Sequence, residues 1–142
     1  MNINKPQNPT IIYFEDVTFT YLMKDPFTGF IKIGKSRSPR AREITLQSQN
    51  ISTTLMYYAF SDIFLEKQLH QEYKEFRIRG EWFDLNETQV SELVRKIWSS
   101  HPLNNKDIPH RVVYGMGVAT PELFEEFYKD RFFTPIEEDI WA

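Results

Sequence analysis

Thr18-Phe19-Thr20-Tyr21-Leu22-Met23 and Phe30-Ile31-Lys32-Ile33-Gly34, joined by Lys24-Asp25-Pro26-Phe27-Thr28-Gly29, are the residues on which the fold turns. The first run sets Phe19, Tyr21 and Met23 on one face and Thr18, Thr20 and Leu22 on the other, the period of a half-buried strand. Phe30 to Gly34 is a second such run, and the Pro and Gly between them supply a chain reversal, so the two predict an antiparallel hairpin. Pairing symmetric about the loop puts Met23 opposite Phe30 and Tyr21 opposite Lys32, with the side chains of each pair on a shared face.

Downstream, Ser38 is a good N-cap and Pro39 fits the first helical position, which predicts a helix to about Gln47. Thr53 to Phe60 is rich in Thr, Tyr and Phe and reads as a third strand. Ser61-Asp62 then caps a second helix reaching roughly Arg77, and Trp82 to Leu85 is a short closing run. Asn86 and Gln89 have capping-box spacing, and Val90, Leu93, Val94, Ile97 and Trp98 follow at helical intervals. Beyond His101-Pro102, Val112 to Val118 reads as a strand and Thr120-Pro121-Glu122 as the start of a last helix. The order predicts an α+β domain: a small central antiparallel sheet of about three strands flanked by helices, with a C-terminal helical extension. Its parts are an arm over residues 1–16, a domain over 17–100 and an acidic, aromatic-rich extension over 101–142.

The whole chain has 142 residues, 41% of them apolar, with 12 Phe, 7 Tyr and 3 Trp, which is enough to bury a core and excludes a disordered chain. No apolar run approaches the ~20 residues of a membrane span, so no membrane association is expected. Met1 to Thr10 lacks the apolar stretch of a secretory signal. The absence of cysteine excludes disulfide scaffolds, thiolate metal sites and cysteine nucleophiles, and suits a cytoplasmic location. The net charge of −3 conceals a gradient: +3 over residues 1–60, −2 over 61–100 and −4 over 101–142. Lys32, Lys35, Arg37, Arg40 and Arg42 fall within eleven residues without an intervening acid, a local positive field. Such a cluster reads either as the solvated entrance of a helix or as a polyanion contact.

On the second helix Glu66, His70, Tyr73 and Arg77 form a polar stripe beside Leu65, Leu69 and Phe76. A Glu and a His at i, i+4 serve as a metal pair, a general-base pair or simply a helix-surface hydrogen bond. Arg42, on a helix that follows a strand ending at Gly34, has the planar fork that clamps phosphate, although solvated arginines are commoner.

Taken together, Thr20-Tyr21-Leu22, Lys32-Ile33-Gly34, Arg42, Glu66 with Leu69-His70, and Gly80-Glu81-Trp82-Phe83 resemble the GIY-YIG nuclease superfamily, over about residues 18–85. The resemblance is to the phage and bacterial branch, whose second motif reads Lys-Ile-Gly. It implies a divalent-metal-dependent endonuclease hydrolysing phosphodiester bonds of DNA, RNA not being excluded, with one Mg²⁺ or Mn²⁺ per site. The implied catalytic residues are Tyr21, Lys32, Arg42, Glu66 and His70: Tyr21 to orient or activate water, Arg42 to stabilise charge on phosphate, and Glu66 as the metal ligand. Lys32 stands in place of the second-motif tyrosine, and beside Tyr21 it is expected to lower the phenol's pKa. Lys35, Arg37 and Arg40 at the rim are expected to follow the nucleic-acid backbone. The alternative function is an inactive nucleic-acid- or protein-binding module on the same fold. Phe124, Phe127, Tyr128, Phe132 and Phe133 are too many aromatics to leave in water, so the last helix is expected to pack on the domain or on a second chain, as a homodimer.

Overall fold

A computed structural model of the protein describes residues 17–49, 53–105 and 119–133. The expected strand at Val112 to Val118 lies outside the described residues. Strands β1 (Val17–Lys24) and β2 (Ile31–Ser36) form the predicted hairpin, followed by α1 (Pro39–Gln47) and β3 (Thr54–Asp62). Helix α2 (Leu65–Glu72), β4 (Arg77–Arg79), β5 (Trp82–Phe83) and α3 (Glu87–Ser99) complete the domain. The sheet has five strands, all pairs antiparallel, in the order β3-β1-β2-β5-β4.

Five strands replace the expected three, and the reason is the length of the added pair. Strands of three and two residues are too short to display an alternation. They are joined through Gly80 at φ +53°, a left-handed turn conformation that glycine adopts without strain. The second helix also stops earlier than its polar stripe suggested. At Tyr73 the backbone leaves the helical region, the Tyr73 hydroxyl accepts a hydrogen bond from Lys96 Nζ at 3.0 Å, and a 3₁₀ turn over Lys74–Phe76 leads into β4. Arg77 is therefore a strand residue and leaves the Glu66–His70 stripe.

The β1–β2 register differs by two residues from the symmetric expectation: Tyr21 faces Gly34 and Met23 faces Lys32. The loop is tighter than assumed, closed by Gly29 N–H donating to the Asp25 carbonyl at 2.7 Å, with Gly29 at φ +77°. A slip of two, unlike a slip of one, keeps every side chain on its face. Tyr21 and Lys32 thus still share a face, as diagonal neighbours rather than opposite residues.

Helix α3 carries the expected capping box, Asn86 and Gln89 exchanging side-chain and backbone hydrogen bonds at 2.9 Å. It buries Val90, Leu93, Val94 and Ile97 and packs against β3. Strand β3 is a sheet edge, and its polar backbone is covered from two sides. Glu43 of α1 accepts from Leu55 N–H at 2.5 Å, beside the register shift between Leu22 and Met23, and Gln47 donates to the Thr53 carbonyl at 2.9 Å. Buried Asn104 accepts from Phe60 N–H and donates to the Phe60 carbonyl, both at 2.8 Å. An edge so occupied cannot pair with another chain there.

The C-terminal extension docks on the same domain. Tyr57 donates to the Ala119 carbonyl at 2.8 Å, and fully buried Phe124 meets the Tyr57 ring edge-on at 5.5 Å. Lys24 donates to the Phe132 carbonyl and lies 4.0 Å over the Phe133 ring. Lys129 bridges Glu125 and Glu87 of α3. The packing helix is irregular: Pro121–Leu123 is α-helical, Phe124–Tyr128 is a π turn, and Asp130–Phe133 returns to α.

Replacing Asn104 by Ala removes both hydrogen bonds from a buried strand edge. Asn104→Ala is expected to lower unfolding free energy by about 2–3 kcal/mol, measured by urea denaturation, with the denaturant slope unchanged.

Candidate functional site

Gly34, Tyr21 and Tyr58 form one rung across β2, β1 and β3. Side chains directly opposite one another in an antiparallel sheet share a face, so the two tyrosines stand side by side, with Tyr21 between Tyr58 and Gly34. The Tyr21 ring leans onto that glycine so closely that a Cβ there would meet its Cζ and its hydroxyl oxygen at 2.4 Å. Gly34 is therefore required for a close approach, since its own backbone is not in the left-handed region. The approach leaves Tyr21 1% exposed.

Three other elements bring charge to the phenol. Arg42, on α1, hydrogen-bonds the Tyr21 hydroxyl, and the carboxylates of Glu66 on α2 and Glu81 in the β4–β5 turn are close enough to act on it electrostatically. Burial raises the Tyr21 pKa above its ordinary value of 10.0; the Arg42 hydrogen bond lowers it, and Glu81 and Glu66 raise it further. The net direction is upward, so the phenol is neutral at physiological pH. This corrects the expectation that Lys32 would depress it. Lys32 is buried and its ammonium is held by Glu81 at 2.7 Å, with the Trp82 ring at 5.7 Å, so its charge is already matched.

His70 is fixed by a backbone contact. Its Nε2 lies 2.8 Å from the Ile33 carbonyl, and because a carbonyl only accepts, Nε2 carries the proton. Glu66 Oε1 is 3.6 Å from the same nitrogen, and the imidazole packs on Phe83 at 5.1 Å. The histidine thus ties α2 to β2 next to Gly34 and brings Glu66 with it. Of the rim cations, Lys35 donates to the Ile63 carbonyl at 2.9 Å and, paired with Thr20, belongs to the sheet face opposite Tyr21. Arg40 hydrogen-bonds Tyr58 and lies 3.5 Å from Glu43, while exposed Arg37 precedes α1. Tyr21, Arg42, Glu66 and Lys32 are thereby brought together, His70 supports them, and the rim residues divide between two faces.

Two participants were not singled out from sequence. Glu81 was read only as part of a closing turn, and an acid one residue after a turn glycine carries no signal of the lysine it pairs with. Tyr58 was one aromatic among several in a strand.

Among the described residues no group of three His, Asp or Glu could hold a metal ion. Glu66 is a single, largely shielded carboxylate, with a side chain 12% exposed. That donor set fits a hard cation such as Mg²⁺, which keeps several waters and needs only one or two protein carboxylates besides substrate phosphate. It does not fit a closed structural site.

The chain matches the family model of the T5orf172 domain over residues 12–98, and it belongs to that family. This ties the protein to nucleic acids. It also corrects the motif resemblance: the matching family is a different one from the GIY-YIG superfamily, for which no match was found. The physical reason is that short motifs report a gathering of a phenol, a guanidinium and a carboxylate, which more than one family can assemble. No curated protein and no solved structure gave a significant match to the chain. Among the described residues, no helix is long and apolar enough to cross a membrane.

Two outcomes test this geometry. Gly34→Ala is expected to cost about 1–3 kcal/mol of stability, because the new methyl displaces a buried ring, as read by thermal unfolding. The raised Tyr21 pKa has a definite sign in alkali: the unfolded phenol ionises first, so the stabilisation is complete below pH 10 and is lost as pH rises above it through the folded pKa. Unfolding midpoints measured from pH 9 upward are expected to fall, and to fall less steeply in Tyr21→Phe.

Proposed function

We propose that the protein is a divalent-cation-assisted endonuclease that hydrolyses phosphodiester bonds of DNA. The reading is carried by one observation: the hydroxyl of Tyr21 interacts with a guanidinium and two carboxylates from three separate elements at one sheet face. Charges from separate elements converging on one phenol with a shifted pKa are the pattern by which functional sites are recognised.

Phosphodiester hydrolysis adds water oxygen to phosphorus and breaks the bond to the leaving sugar oxygen, the water losing a proton to solvent and the leaving oxygen taking one from it, and negative charge accumulates on the phosphoryl oxygens as it proceeds. Arg42 meets that charge with its planar fork, which matches two phosphoryl oxygens at once. Tyr21 keeps its proton. Its oxygen accepts from Arg42, and its hydrogen is donated to an oxygen of the scissile group or of the attacking water, which orients it. His70 keeps its Nε2 proton on the Ile33 carbonyl and acts as a positioning residue for Glu66. A divalent cation held by Glu66, with water and substrate completing its shell, would supply charge neutralisation at the phosphate. Lys32 and Glu81, as a matched pair, define the wall of the site next to β5.

Purified protein with supercoiled plasmid and Mg²⁺ or Mn²⁺ is expected to give nicked or linear DNA, with EDTA and Glu66→Ala each abolishing the product. Arg42→Ala is expected to slow cleavage by about 10²–10³-fold. Tyr21→Phe, which keeps the ring on Gly34 and loses only the hydroxyl, is expected to slow it by about 10²-fold. DNA binding by a parent protein that cuts nothing under these conditions would instead establish a non-cleaving binding module.

A further inference from the structure

Beside the Tyr21 patch lies a groove of about 320 Å³, bounded by α1, β3 and the C-terminal extension. Tyr58 is part of its lining and also the neighbour of Tyr21 on the sheet rung, so the groove begins one strand, about 4.8 Å, from the backbone of Tyr21, whose ring leans the other way, onto Gly34. Arg40 of α1 and Arg131 of the extension line it on two sides, and the rings of Tyr128 and Phe132 line the extension side. The Arg131 guanidinium stands 5.4 Å over the Tyr128 ring. The acid in the lining, Glu43, is committed: one oxygen accepts from Leu55 N–H and the other faces Arg40. The groove therefore combines a surplus of positive charge with aromatic faces, next to the residues proposed to cut.

Charge and aromatics in this arrangement select a ligand with an anionic group and a flat apolar ring. A peptide acid lacks the ring and a free phosphate does not fill the volume. A base within a duplex is excluded because both its faces are already stacked. An unpaired nucleotide offers both features, its phosphate for the arginines and its base for the rings. We propose that this groove seats one unpaired nucleotide of the nucleic-acid substrate, adjacent to the phosphate bound at Tyr21 and Arg42. The site rests on the nuclease reading for its substrate but not for its chemistry, since binding here needs neither Glu66 nor a cation. A parallel repeat supports the adjacency: Tyr21 is bonded by Arg42, and Tyr58, the next tyrosine on the rung, is bonded by Arg40.

The test measures binding in the full-length Glu66→Ala protein, which leaves the probe intact, by fluorescence anisotropy of a labelled single-stranded DNA oligonucleotide. Tyr128→Ala and Arg131→Gln are each expected to weaken binding fivefold or more, as loss of one base–aromatic contact predicts, whereas Tyr128→Phe keeps the affinity. Tyr128 and Arg131 are exposed, and unchanged melting temperatures would show that the fold is kept. A loss below fivefold in either variant, an equal loss in Tyr128→Phe, or equal losses on a blunt duplex of the same sequence would overturn the assignment. Plasmid cleavage by the parent protein judges the nuclease reading separately: a groove that binds in a protein that never cuts, or a cutting protein whose groove variants bind normally, tells the two apart.

Discussion

The closeness of Tyr21 to Gly34 is the constraint from which the site follows. A ring lying on bare backbone fills the space where every other residue carries a side chain, and this fixes the hydroxyl at a definite height above the sheet. Arg42 reaches that hydroxyl because the β2–α1 connection is short and Pro39 starts the helix at once. The Ile33 carbonyl, one residue before Gly34, anchors His70 and through it the helix that bears Glu66. Three elements are thus indexed to two adjacent residues of one strand. A displacement of β2 relative to β1 would carry α1 and α2 away from Tyr21, so the hairpin register is the quantity that the site depends on.

That register is protected by how the sheet edges are managed. Strand β2 is interior, flanked by β1 and β5, so it cannot slip without breaking pairs on both sides. The Lys32–Glu81 ion pair and the Ile33 N–H, which donates to the Glu81 carbonyl at 3.0 Å, join β2 to the β4–β5 turn at the same level as the phenol. At the far side, Glu43 and Asn104 occupy the backbone of β3. An ion pair with its lysine buried contributes little net stability, because desolvation offsets attraction, but it does specify one alignment of the charges. Glu81 is in this sense a registry device that also acts electrostatically on Tyr21.

What was legible in the sequence was whatever is encoded locally. The β1–β2 pattern, the Pro39 helix start, the Asn86–Gln89 capping box and the stripe Val90, Leu93, Val94, Ile97 each follow from spacing within a few residues, and each stands in the structure. The candidate side chains were legible as types at positions: Arg42 hydrogen-bonds Tyr21, and Glu66 is near enough to act on it electrostatically. What was hidden is encoded by contacts at long range. Trp82–Phe83 is aromatic and strand-like, but nothing within Arg77–Arg79 announces β4, which exists because β5 offers it an edge to pair with. At the end of α2 the Tyr73 hydroxyl is held by Lys96, 23 residues away. The state of Lys32 depends on Glu81, and no reading of Lys32 with its sequence neighbours could supply that partner. The family assignment failed for a related reason: motif residues name the chemistry of a patch, while a family is defined by the whole domain that carries it.

The charge balance of the patch bears on how it would treat a phosphodiester. Lys32 is matched by Glu81, and Arg42 and Glu66 bring opposite charges that both act on the phenol, so these four side chains together carry no surplus of either sign. Tyr21 adds none, since burial keeps it neutral. An arriving phosphodiester brings one negative charge, and its transition state concentrates more on the same oxygens. In a shielded site such charge is poorly screened by water, which makes an unmatched anion costly and a matched one strongly held. Under the proposed function a divalent cation at Glu66 turns the single negative excess of the bound phosphodiester into a single positive one, which the further charge gathering on the phosphoryl oxygens in the transition state then meets. Neither ligand would then bind well alone, and each would raise the affinity for the other, which is the thermodynamic form of a site completed by its own substrate.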